Sequence, residues 1–136
     1  MDTLTPAQRS ACMSRVRSKD TKPEMIVRRL LHGRGFRYRL HDKRLPGKPD
    51  LTFAGRRKVI FVHGCFWHMH EGCSHAGIPK SRLDFWKSKL EHNRSRDQMN
   101  VALLEKMGWR VLVVWECELR DMNAVTTKLE NFLNKE

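Results

Sequence analysis

The stretches "KVIFVH" (58–63) and "WRVLVVWEC" (109–117) leave this chain few ways to fold, because each is a nearly unbroken apolar run of strand length. Such runs are strands buried in a sheet, which needs other layers packed against it. Helices supply that cover. "TKPE" offers Thr21 as N-cap and Glu24 three residues on, and the helix it opens carries Ile26, Val27, Leu30 and Leu31 and stops at Gly33. An earlier "TPAQ", with Thr5 as cap, opens a shorter helix toward Val16. In "FRYRLH", Phe36, Tyr38 and Leu40 alternate with arginines, which predicts a half-buried strand with a cationic outer face. "LPGKP" turns, "DLTF" is a short strand and "AGR" turns again. Ser81 caps a long helix through Met107, with Leu83, Trp86, Leu90, Val101, Leu103 and Leu104 as its apolar positions and Gly108 as its stop. A last amphipathic helix sets Val125, Leu129, Phe132 and Leu133 on one side. The order helix, three strands, helix, strand, helix predicts an α/β fold with a mixed central sheet flanked by helices, and 136 residues suit a single domain.

The balance of 27 Lys+Arg against 15 Asp+Glu gives a formal charge of +12, which favours polyanionic partners, nucleic acid before an acidic membrane surface. No apolar stretch reaches the length of a membrane span, and "MDTLTPAQRS" lacks the hydrophobic core of a secretory signal, so a soluble cytoplasmic protein is expected. In a reducing compartment Cys12, Cys65, Cys73 and Cys117 are thiols or metal ligands rather than disulfides.

The run "HGCFWHMHEGC" (63–73) concentrates the chemistry. Cys65, His70 and Cys73 bring sulfur and imidazole donors close enough along the chain to converge on one tetrahedral zinc ion. The spacing C-x4-H-x2-C is not that of a standard finger and needs a remote fourth ligand, for which Cys117, at the end of a buried strand, is a better candidate than Cys12. Buried free cysteines beside surface histidines are the plainer alternative. A closed four-ligand site would be structural. Asp50, Glu24, His63 and His68 together could serve a hard divalent cation and a proton-transfer partner, the equipment for phosphodiester hydrolysis. Each also has a dull explanation: a turn Asp, a capping-box Glu, a core His. Glu24 lies three and seven residues before Val27 and Leu31, so helical geometry puts it at the edge of the buried stripe. Trp109 and Trp115 share one strand face and read as core. Phe66 and Trp67, with Trp86, have two uses open to them: sealing the metal loop, or wedging between DNA base steps.

Taken together, "LPGKPDL", "VIFVHGCFWHMH", "FWKSKLEHNRSRD" and "GWRVLVVWECELR" resemble the very short patch repair (Vsr) endonucleases, from about Ser10 to Arg120. The resemblance implies a restriction-endonuclease-like fold with a structural zinc site. It implies magnesium-dependent nicking of one strand of double-stranded DNA, 5' to the thymine of a T:G mismatch left by deaminated 5-methylcytosine. Asp50 then resembles the magnesium-binding carboxylate, and Val62 a position whose main-chain carbonyl contacts magnesium, valine replacing a family threonine. His68 resembles a general base or water-orienting imidazole, His63 a second imidazole near the scissile phosphate, and Glu24 a carboxylate acting through the magnesium's water shell. Asp97 is a further site candidate that could equally cap or pair within its helix. Zinc falls to Cys65, His70, Cys73 and Cys117. One residue more than the family pattern separates His70 from Cys73, and Met69 stands where the family tends to have histidine, which leaves His75 as a rival to His70. Phe66, Trp67 and Trp86 match rings that insert from the major groove. Met13 and Val16 match a helix that enters the minor groove.

One domain is expected: residues 1–20 a DNA-contacting helix, 21–120 the nuclease core and 121–136 a C-terminal helix. The expected state is a monomer, with mismatch-repair machinery as a further partner. Two other readings stay open: a restriction-type endonuclease cutting both strands, and a zinc-stabilised DNA-binding module without catalysis.

Overall fold

A computed structural model describes residues 21–68, His70, Cys73 and 83–135; the expected helix from Thr5 to Val16 lies outside them, as do Met13, Val16, Cys12, His75 and the Ser81 cap. The predicted order is present. Helix α1 (Lys22–Gly33) is followed by strands β1 (Arg39–Leu40), β2 (Leu51–Phe53) and β3 (Lys58–His63), helix α2 (Leu83–Lys106), strand β4 (Arg110–Trp115) and helix α3 (Met122–Asn134). The strands form one sheet in the order β1-β2-β3-β4, antiparallel across the first two pairs and parallel between β3 and β4, where Lys58 faces Arg110 and His63 faces Trp115. A parallel pair needs a long crossover, and α2 lies within it. No helix among the described residues is long and apolar enough to cross a membrane.

Alternation along β3 divides the core between the two faces of the sheet. Ile60 and Val62 point toward α1 and α3, packing with Val27, Leu31, Leu51, Phe53, Val125, Leu129 and Leu133. Val59 and Phe61 point the other way, onto Leu104 of α2 with Trp109, Val111 and Val113. Helix α1 begins as expected, the Thr21 hydroxyl accepting from the Glu24 N–H at 3.3 Å. Helix α3 is stopped by two basic side chains from the β2–β3 turn region: Arg56 donates to the Leu133 carbonyl at 2.9 Å, and the buried Lys58 ammonium donates to the carbonyls of Phe132, Leu133 and Lys135. They satisfy orphan carbonyls at the negative end of the helix dipole.

Two expectations need correction. The strand predicted over 36–41 shrinks to Arg39–Leu40, and Leu40 is exposed. Its partner β2 is only three residues long, so little backbone is there to pair with. Phe36 and Tyr38 instead pack edge-on against Phe53, and the Tyr38 hydroxyl donates to the Arg28 carbonyl at 2.8 Å. In α2, Leu83 and Leu103 are 49% and 43% exposed. The inward row runs Trp86, Leu90, Asn93, Asp97, Val101, Leu104 at helical spacing, and Leu103 sits a hundred degrees from its end. The middle of that row is polar. Asn93 donates to the Trp67 carbonyl at 3.3 Å and Asp97 bonds His68, so α2 holds the loop after β3 with the part of its inner face that lacks apolar residues.

Candidate active site and metal centre

Strand β3 ends at His63, and three groups of metal-capable side chains gather around that end, each with donor atoms within 4.8 Å of one another: Glu24 with His41 and Asp50; His63 with His68 and Asp97; Cys65 with His70, Cys73 and Cys117. The four residues grouped by sequence as Asp50, Glu24, His63 and His68 are thus divided between two neighbouring clusters. Alternation explains the division, since Val62 and His63 point to opposite faces. The clusters remain adjacent through the backbone. The Val62 N–H donates to Asp50 Oδ2 at 2.7 Å, one residue before His63.

In the first cluster Glu24 is only 1% exposed. Its Oε2 accepts from Arg28 at 3.3 Å and lies 2.9 Å from His41 Nε2, which is 4.0 Å from Asp50 Oδ1. Burial, with Glu24 nearby, pushes the Asp50 carboxyl up to about 7 despite the stabilising Val62 N–H. A divalent cation beside the two carboxyl groups would relieve the charge that burial and Glu24 make costly at Asp50. Magnesium fits the two carboxylates of this donor set, Asp50 and Glu24.

Sequence reasoning missed His41. Its signal was in the β1–β2 pairing: Leu40 faces Leu51, so the next pair outward is His41 and Asp50, and the His41 N–H donates to the Asp50 carbonyl at 3.2 Å. Residues directly opposite in an antiparallel pair share a face.

In the second cluster the His63 and His68 rings stack with centroids 3.8 Å apart and 6° between planes. His63 is buried, which pushes its pKa down to about 3, with the His68 ring adding to the effect, so it is a neutral imidazole at physiological pH. Its Nδ1 finds no hydrogen-bond partner among the described residues. His68 Nδ1 is hydrogen-bonded to Asp97 Oδ2, so the carboxylate orients the ring and leaves Nε2 outward. Both imidazoles and Asp97 line a half-open cleft of about 540 Å³ between α2 and the sheet, together with Arg94 and Gln98.

The third cluster offers three thiols and one imidazole, with Cys117 Sγ 3.4 Å from His70 Nδ1. That soft donor set and its closure fit a tetrahedral zinc ion. Burial pushes the Cys65 thiol up to about 12, so an ion must draw off its proton to bind it. Trp115 is not core as its face suggested. Its ring stacks on His70 at 4.1 Å and meets His63 edge-on at 5.2 Å, fixing one imidazole of each cluster. Phe66 meets Trp67 and Trp86 edge-to-face and the two indoles are tilted on each other, with centroids 5.1 to 6.0 Å apart; Trp86 is buried and the other two rings are half-exposed on the loop.

The family model described as "DNA mismatch endonuclease Vsr" matches residues 1–75. The chain is 56% identical over 133 residues to type II nicking enzyme V.XorIIP of Xanthomonas oryzae pv. oryzae, covering 98% of this chain and 97% of that protein. It is 40% identical over 137 residues to DNA mismatch endonuclease Vsr of Escherichia coli, covering 97% and 87%. Among solved structures, the catalytic domain of the homing endonuclease I-Bth0305I aligns with a TM-score of 0.55 at 21% identity, over 83% of this chain and 94% of that one. That likeness is one of fold.

Proposed function

This chain belongs to the Vsr family of DNA mismatch endonucleases, and from that premise we propose that it nicks one strand of duplex DNA 5' to the thymine of a T:G mismatch, serving very short patch repair of deaminated 5-methylcytosine. The observation that carries the reading is the pair of clusters flanking the end of β3: a buried carboxylate pair on one side, and a carboxylate-oriented imidazole beside a neutral one on the other.

Asp50, Glu24 and the Val62 carbonyl are the groups that would hold magnesium. The chemistry magnesium supplies there is neutralisation of charge at the scissile phosphate and activation of water for in-line attack. His68 takes the proton at Nε2, the position that Asp97 leaves facing outward. His63, kept neutral by burial, presents an imidazole to the phosphate without adding a proton-dependent charge. Cys65, His70, Cys73 and Cys117 would hold zinc, which would fix the loop that carries His68, Phe66 and Trp67. The two half-exposed rings wedge beside the mismatch, buttressed by Trp86, and discriminate because a wobble pair unstacks more cheaply than a matched one. Residues 1–20, with Met13 and Val16, add the minor-groove contact, and the single domain works as a cytoplasmic monomer in concert with mismatch-repair machinery.

The test is strand-resolved mapping of products on otherwise identical T:G, T:A and C:G duplexes with magnesium. A single nick 5' to the mismatched thymine supports the reading. Equal cleavage of matched duplexes, or scission of both strands, replaces it with a restriction-type activity.

A further inference from the structure

We propose that His41 is a third side-chain ligand of the catalytic cation, and that its imidazole shifts the site's preference from Mg²⁺ toward ions that accept nitrogen more readily, such as Mn²⁺. The proposal rests on the cation site described above and adds to it the residue that sets ion choice.

Three features of the pocket carry the inference. His41 Nε2 lies 2.9 Å from Glu24 Oε2 and 4.0 Å from Asp50 Oδ1. Around an ion with bonds of ~2.1 Å, neighbouring octahedral ligands stand ~3 Å apart and opposite ones ~4.2 Å. Both distances suit ligands of one ion, and all three donors lie within 4.8 Å of one another. Second, the backbone at His41 is left-handed, with φ 48°, a conformation that costs energy for a residue with a Cβ. The His41 N–H bond to the Asp50 carbonyl holds the backbone there, and the result is a ring turned into the pocket with only 19% of its side chain exposed. Third, both carboxylates are anchored by other groups. Arg28 donates to the same Glu24 Oε2 at 3.3 Å, and the Val62 N–H binds Asp50 Oδ2, which leaves Asp50 Oδ1 as the oxygen nearer the ring.

Magnesium sites are built from oxygen and rarely recruit imidazole, whereas affinity for nitrogen rises from manganese along the first-row series. A site of two carboxylates and one imidazole retains magnesium through its oxygens and gains on manganese through its nitrogen.

The test is Mn²⁺ binding to the zinc-loaded full chain without DNA, followed by electron paramagnetic resonance, with Mg²⁺ affinity read by competition. Bound Mn²⁺ should show modulation from a directly coordinated ¹⁴N nucleus. In His41→Gln that modulation should vanish, and Mn²⁺ affinity should fall about tenfold, more than Mg²⁺ affinity does. His41→Asn, which keeps a residue tolerant of the left-handed backbone, should behave alike and guards against misfolding. Unchanged nitrogen coupling in both variants overturns the proposal. So does an equal loss of both ions, because His41 would then position Glu24 rather than ligate. Asp50→Ala separates the premise from the proposal: if it still binds Mn²⁺ like the parent chain, the cation site itself is misplaced.

Discussion

Burial makes ionising Asp50 costly to the fold, and the proposed cation site asks for its ionised form. Its folded pKa of about 7 lies above the ordinary 3.8, chiefly because it is buried. Between those values the folded chain holds a proton that the unfolded chain has lost, so this residue's contribution to metal-free stability declines as pH rises from about 4 and is fully unfavourable above about 7. Asp50→Asn, which keeps an oxygen for the Val62 N–H, should raise metal-free stability at pH 8 by about 4 kcal/mol at most, at about 1.4 kcal/mol per pKa unit, and leave it nearly unchanged at pH 4. Urea unfolding at the two pH values checks this, and an unstabilised variant at pH 8 would mean that the carboxylate is well solvated. His63 acts in the opposite sense. Its folded pKa of about 3 lies below 6.5, so the stability it lends is whole above 6.5 and is lost as pH falls toward 3. Asp50 was legible in the sequence as a carboxylate following a turn, and Glu24 from its place at the edge of a helical stripe. His41 was not, because its role depends on a strand pairing and a left-handed backbone that no residue type announces.

Helix α2 and the loop after β3 depend on each other. The inner row of α2 is apolar at its ends and polar at Asn93 and Asp97, and those two side chains hold the loop at Trp67 and His68. The sequence carried that interruption, but a search for apolar periodicity passes over it and assigns Leu83 and Leu103 inward instead. The other end of the loop is held at the thiol cluster. Cys117→Ser should therefore weaken zinc retention and cut nicking by one to two orders of magnitude, roughly as for disturbed ligand shells, while matched-duplex affinity changes little. Zinc content and single-turnover rates measured on the same preparation decide it, and full activity without zinc would detach the loop from the metal. At α3 the buried Lys58 bonds three terminal carbonyls. Lys58→Met should cost about 2 kcal/mol and speed amide exchange selectively at 130–135, since it leaves buried acceptors unmet. Uniform exchange across α3 would show that the cap lies elsewhere.

Across the whole molecule, the strands 58–63 and 110–115 were legible because unbroken apolar runs of that length have few other uses, and their parallel pairing fixes where everything else must pack. Strand β1 was overread because alternation alone does not reveal how short its partner is. The charge of +12 bears on the partner rather than the fold, and DNA affinity should fall by orders of magnitude between 50 and 200 mM salt, with a linear slope in log–log form; a flat response would remove phosphate contacts from the account. In the proposed mechanism Asp50 anchors the cation at which the strand is cleaved. The decisive measurement is single-turnover nicking of a T:G duplex by Asp50→Ala at saturating magnesium, with DNA affinity measured in parallel. Binding within a few-fold of the parent and a nicking rate lower by about a thousandfold or more are the expected result, on the scale of several kcal/mol of lost charge stabilisation. Nicking at a rate comparable to the parent's would contradict it.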